Sequence, residues 1–172
     1  MEDRAKVYAG FLSDSIIIRL TGHATVLVAP LVKDFQDKNR EIILKKPRLI
    51  YDLTECNFVD STILGLISHL SVAYYHTNGR FATLIYADDK VKKILETLNC
   101  NKILDMILVP SERSTLAAVQ EIEDAHTIDK AAIRASVAQA HQALVELNEN
   151  NATLFSGVIE DLKIPPHTDN KQ

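Results

Sequence analysis

The chain reads as an α/β protein, a mixed β-sheet covered by helices, with a long helix or helical hairpin added at the carboxy end. Three observations point there. Short runs rich in Val, Ile, Leu and Tyr alternate with longer segments whose apolar residues recur at spacings of three and four. The first two of those runs are separated only by Ser13-Asp14, which suits an antiparallel hairpin. From residue 128 to 162 there is no proline, a single glycine and abundant alanine, a composition with strong helical propensity.

Composition narrows the classes further. At 172 residues and 47% hydrophobic content, the chain suffices for one domain of ordinary size plus an accessory element. A formal net charge of -4 argues against a general affinity for phosphate backbones or anionic lipid, so neither nucleic acid nor a membrane is expected as partner. The short basic groups Lys45-Lys46-Pro47-Arg48 and Lys90, Lys92, Lys93 read as solvated helix ends. Met1-Glu-Asp-Arg-Ala-Lys6 is too polar for a targeting signal, and the longest apolar stretch, near Val26 to Val32, contains Pro30 and is far short of the ~20 residues a bilayer needs. A cytoplasmic protein is expected. Cys56 and Cys100 have no CxxC spacing and are expected as small buried apolar residues.

Taken in order, residues 6–12 and 15–21 are predicted strands, Ile16-Ile17-Ile18 making the second central, and Gly22 ends it. Residues 31–44 form a predicted helix closed by Pro47. Residues 48–54 follow as a strand suited to cover on both faces. Asp60 then caps a helix on which Ile63, Leu64, Ile67, Leu70, Ser71 and Tyr74 make one stripe, with Asn78-Gly79 as its stop. Ser61 and Thr62 are two hydroxyls on the exposed first turn of that helix. A strand over 80–86, a helix over 89–98 capped by Asp88, a strand over 104–109 and a helix over 112–125 with Leu116, Val119 and Ile122 on one side complete the domain.

The string Asp52-Leu53-Thr54, a short loop, then Phe58-Val59-Asp60-Ser61-Thr62 and Leu64-Gly65 resembles the STAS domain, and more narrowly the anti-sigma factor antagonists of bacterial partner-switching systems. The ordering of elements agrees from about residue 7 to 122, while the specific motifs lie between Tyr51 and Gly65. In that family the serine directly after the aspartate is phosphorylated, which maps to Ser61, with Thr62 as the alternative acceptor. The resemblance implies a binding surface made by Asp60, Ser61, Thr62, Ile63, Leu64 and the loop residues His23 and Thr25. The family usually has an acidic residue after the glycine of that loop, whereas here Gly22 is followed by His23-Ala24-Thr25. The implied partners are an anti-sigma factor with serine-kinase activity and a Ser/Thr phosphatase, with no cofactor. The alternative is a constitutive STAS subunit that braces an ATPase or transporter complex, as in lipid-transport complexes.

No enzyme is expected. His69 and His76 stand seven apart, about two turns or ~10 Å of rise, too far to share a metal, and His126 and His141 are farther still, each expected at the surface or half-buried. No phosphate-binding glycine loop is present, and a Ser61-His-Asp triad would lack the glycine-flanked elbow of a strained nucleophile.

The chain is expected to divide into a domain over 1–125, a helical extension over 126–164 and a tail over 165–172 after Pro165-Pro166. In the extension, Ile133, Val137, Ala140, Leu144, Leu147, Asn151, Leu154 and Val158 follow a three-four alternation. That stripe suits docking on its own domain, a homodimer seam or a partner helix. Asn148, Glu149, Asn150 and Asn151 weaken the seam, either as a turn between two antiparallel helices or with Asn151 as a polar seam residue that fixes register.

Overall fold

The computed structural model describes residues 4–109, 119–123 and 129–163. Two strands, β1 (Lys6–Phe11) and β2 (Ser15–Ala24), form the antiparallel hairpin, in register from Lys6 opposite Thr21 to Phe11 opposite Ile16. Helix α1 (Ala29–Lys45) carries the chain over to β3 (Arg48–Leu53), which pairs parallel to β2. It begins two residues earlier than expected, because Pro30, which cannot donate a backbone hydrogen bond, suits a first helical turn.

A short strand β4 (Cys56–Val59) then runs beside the far end of β2. It was not expected: only Cys56 and Val59 of its four residues are buried, too few to show a period. Nor does β2 stop at Gly22. It continues to Ala24 across a register shift between Gly22 and His23, which the left-handed φ of 66° at Gly22 accommodates.

Helix α2 (Ser61–Asn78), strand β5 (Ala82–Tyr86), helix α3 (Asp89–Thr97) and strand β6 (Leu104–Leu108) extend the sheet by parallel pairing. On the opposite edge, β7 (Gln120–Glu121) pairs antiparallel with β1. The helix expected over 112–125 is corrected there, since 120–121 is strand; residues 110–118 lie outside the described residues. Both β7 residues are exposed, so no burial pattern marks them; the open edge of β1 and a Lys6–Glu121 ion pair select the extended form. Among the described residues the sheet has seven strands, in the order β6-β5-β3-β2-β1-β7 with β4 beside β2. The expected α/β architecture, a mixed sheet covered by helices, is what the chain adopts.

One face of the sheet makes the core. Ile16, Ile18 and Leu20 of β2, with Leu49, Tyr51 and Leu53 of β3, pack against Val32 and Ile43 of α1 and Ile63, Ile67, Leu70 and Tyr74 of α2. Polar ties fix the layers. Ser71 Oγ donates to Ile103 O and accepts from Ala82 N, the Tyr74 hydroxyl donates to Lys46 O, and Gln36 Nε2 donates to the Tyr51 hydroxyl. On the other face, Arg19 Nε donates to Asp52 Oδ2 at 2.8 Å, while Asp52 Oδ1 accepts from both the backbone and the hydroxyl of Thr54. The Asp-Leu-Thr strand end is thus a knot around a buried carboxylate.

The carboxy-terminal segment docks on its own domain. Helix α4 (Lys130–Leu147), capped by Asp129 accepting from Ala132 N, is followed by two short helices, α5 (Glu149–Leu154) and α6 (Ser156–Leu162). Asn148 ends α4 in an extended conformation and caps α5, so this stretch is a break in the helix. Asn151 is buried and donates from Nδ2 to Leu98 O and Leu144 O, latching the segment to the end of α3. The buried stripe of α4 is Ser136, Ala140, His141, Leu144 and Val145, rotated from the expected Ile133 and Val137, which are only half-buried.

The stop of α2 is testable. Gly79 closes the helix at φ 67°, its N–H donating to Tyr75 O, and nothing lies within 4 Å of a side chain added there. Gly79→Ala therefore pays only for left-handed backbone, a loss of about 1 kcal/mol in stability. Urea denaturation should show a lower midpoint with an unchanged slope.

Candidate functional site at the start of the second helix

Asp60 stands where three elements meet. Its backbone is extended, its N–H donates to Ala24 O at 3.1 Å, and its carboxylate accepts from Ile63 N at 3.0 Å and from Val26 N at 2.6 Å. One side chain thus caps α2 and pins the loop between β2 and α1. The cap geometry alone contributes about 1–2 kcal/mol, and a carboxylate there also faces the positive end of the helix dipole.

Ser61 is the first residue of α2 and is half-buried. Its hydroxyl is not free in solvent. Ser61 Oγ lies 3.1 Å from His141 Nε2, and His141 Nδ1 lies 2.9 Å from Val137 O. A carbonyl oxygen can only accept, so Nδ1 carries the proton; in the neutral ring Nε2 then accepts from the Ser61 hydroxyl. Burial favours that neutral ring by pulling the His141 pKa down, against the Val137 bond and the Asp60 charge, which push it up. The edge of the imidazole meets the Phe155 ring with centroids 4.6 Å apart.

The two helices touch through their backbones. A side chain built on Gly65 would fall 2.3 Å from Ala140 O and 2.6 Å from its Cα. Gly65 is one turn beyond Ser61, and Ala140 directly precedes His141. Close approach at this crossing is therefore what brings an imidazole onto the Ser61 hydroxyl.

Other expected site residues are placed differently. Thr62 is buried at 4% exposure, and Ile63 and Leu64 are at 0%. This corrects the reading of both hydroxyls on one exposed turn and of Ile63 and Leu64 as surface: at 100° per residue, the positions after Ser61 turn into the core. His23 is exposed and stacks on Phe58, with ring centroids 5.9 Å apart. His23 and Thr25, with Leu27, Val28, Phe58 and Ile133 among others, line a cavity of about 1260 Å³ beside the helix start. Leu27 and Phe58 are large apolar side chains left 63% and 41% exposed.

His141 is the residue the sequence reading missed, expected at the surface or half-buried and found buried against Ser61. Its one signal was its place beside Ala140 on the apolar stripe. His126 lies outside the described residues. Cys56 and Cys100 are free and buried, and burial raises both thiols, Cys100 to about 11, so neither is a ready nucleophile. Among the described residues no cluster of metal-ligating side chains occurs, and no helix is long and apolar enough to cross a membrane. No protein-family model matches this chain, and no curated protein matches it.

The buried imidazoles give stability a pH dependence. His141 and His69 are both lowered from 6.5, each chiefly by burial. A group with a lower pKa folded than unfolded binds protons preferentially in the unfolded chain; its stabilisation is complete above the unfolded value and is lost as pH falls through it towards the folded one. Denaturation midpoints should fall on acidification below about pH 6.5, and His141→Gln should remove part of that fall, leaving the share of His69. An unaltered pH profile in the variant would contradict a buried neutral His141.

Proposed function

We propose that this chain is an anti-sigma factor antagonist of the STAS type, a non-catalytic cytoplasmic binding protein switched by phosphorylation of Ser61. The observation that carries this reading is a serine hydroxyl at the first position of a carboxylate-capped helix, on a mixed sheet preceded by the Asp52-Leu53-Thr54 knot. The burial of Thr62 favours Ser61 as the acceptor.

Charge supplies the mechanism. A phosphate adds about -1.5 to -2 charge and three acceptor oxygens at a helix N-terminus, where dipole and free amides tolerate it. The fold survives, but the surface becomes strongly negative. A partner docking on this turn must then desolvate a dianion beside the Asp60 carboxylate, and like-charge juxtaposition costs several kcal/mol. The unphosphorylated protein holds an anti-sigma factor with serine-kinase activity and so frees a sigma factor; phosphorylation of Ser61 lets the anti-sigma factor go, and a Ser/Thr phosphatase resets the switch. His23, Thr25, Leu27 and Phe58 add an apolar flank to the docking surface.

The competing reading is a constitutive brace for an ATPase or transporter complex. What favours it is that the Ser61 hydroxyl is already satisfied within the chain by His141. Two measurements decide. Phosphopeptide mapping of the protein from its own cells, in growth and under stress, should find occupancy at Ser61 that changes with condition and none at Thr62. Against the captured partner, Ser61→Ala should retain binding while Ser61→Asp weakens it by about tenfold or more. Equal binding by the two variants, with Ser61 never modified, would sink the switch in favour of the brace.

A further inference from the structure

We infer that α4 is a displaceable cover that occupies, within the same molecule, the face of α2 on which a partner docks, so that partner binding at Ser61 and docking of α4 exclude one another. The exclusion rests on the proposed function for the partner's identity, but the cover itself rests on geometry alone.

Contact between the two helix backbones at Gly65 and Ala140 leaves no layer into which a second protein could insert. Ser61 is held from above by His141, itself only 4% exposed. A kinase or a docking helix therefore reaches Ser61 only after α4 lifts.

The distribution of contacts shows how it can lift. Across the first two turns of α4 the only buried side chain is Ser136, whereas Leu144 and Val145, the large buried apolar side chains, stand at its far end near the Asn151 latch. Burial of such side chains is strongly stabilising, and a serine contributes little of that kind. The amino-terminal two turns of α4 are thus held less firmly than the stretch from Ala140 to Val145 that meets Ser61 and Gly65. At the crossing itself the meeting groups are small or polar, Ser61 against His141 and Gly65 against Ala140. Lifting α4 takes Ala140 and Leu144 out of the apolar core they share with α2, so the lifted form is the minor one and partner binding selects it. The same face also defines the occupant that replaces α4: a helix with a small residue at the crossing.

Once phosphorylated, Ser61 resists reseating of the cover. A phosphate is far bulkier than the hydroxyl that His141 contacts, and the Asp60 carboxylate lies alongside it.

The test uses full-length protein. Gly65→Ala forces the helices apart, because the added carbon collides with backbone atoms of Ala140, while α2 itself gains helix propensity. Gly157→Ala, with open space around it, is the control. Hydrogen exchange followed by mass spectrometry, and alkylation of a Ser61→Cys variant by iodoacetamide in both backgrounds, read the cover directly. Gly65→Ala should accelerate exchange of α4 amides and alkylation at position 61 by about tenfold or more, with β2 and β3 unchanged and the control matching the parent. The inference is overturned if α4 stays as protected as β2, or if α4 and the sheet open together. Should Gly65→Ala fail to fold, Asn151→Ala, which leaves both helices' contact residues intact, must show the same selective acceleration or the cover is not displaceable. Phosphopeptide mapping is independent of these readouts. Opening without modification of Ser61 would remove the switch and keep the cover, and modification without opening would do the reverse.

Discussion

Much of this molecule depends on one carboxylate. Asp60 uses both oxygens, one on the Ile63 amide inside α2 and one on the Val26 amide outside it, while its own N–H pairs with Ala24 at the end of β2. A neutral cap would satisfy the helix but could not equally span both elements, since charge shortens and strengthens each bond. The direction in which α2 leaves the sheet, and so the position of Ser61, is set by this one residue. The loop carrying His23 and Thr25 is pinned to the same point, which is why a candidate binding surface made of segments far apart in sequence is a single surface in space.

Buried polar groups play a related part elsewhere. Arg19, Asp52 and Thr54 close the end of β3; Ser71 joins α2 to β5 and to the start of β6; Asn151 spans α3 and α4. Each sits where a chain segment ends and backbone groups would otherwise lack partners. An apolar core fixes how much is buried but little about angle, whereas directional bonds at element ends fix orientation. The sheet order follows from the apolar patterns, and the seating of helices on it follows from these ties.

Long periodic elements were legible in the sequence for the same physical reason. Strands β2, β3 and β5 and helices α2 and α3 repeat their burial pattern often enough to be read, and their caps Asp60, Asp88 and Gly79 stand where the spacing put them. Strands β4 and β7 were not legible, being four and two residues long and defined by the edges they pair with. At the candidate site, the motif residues were visible but their facing was not, because one step along a helix separates half-buried Ser61 from buried Thr62. The meeting of Ser61 with His141 spans 80 positions of chain and depends on a glycine at the crossing. No local pattern could carry it.

The bare backbone at Gly65 has an effect on molecular choice. Where two helices meet with no side chain between them, selection works through size: a helix bearing leucine or valine at the crossing stands off, and one bearing alanine or glycine seats fully. The notch in α2 is thus a steric filter on the helix seated there: α4 meets it with Ala140, and a bulkier residue at that position would hold it off.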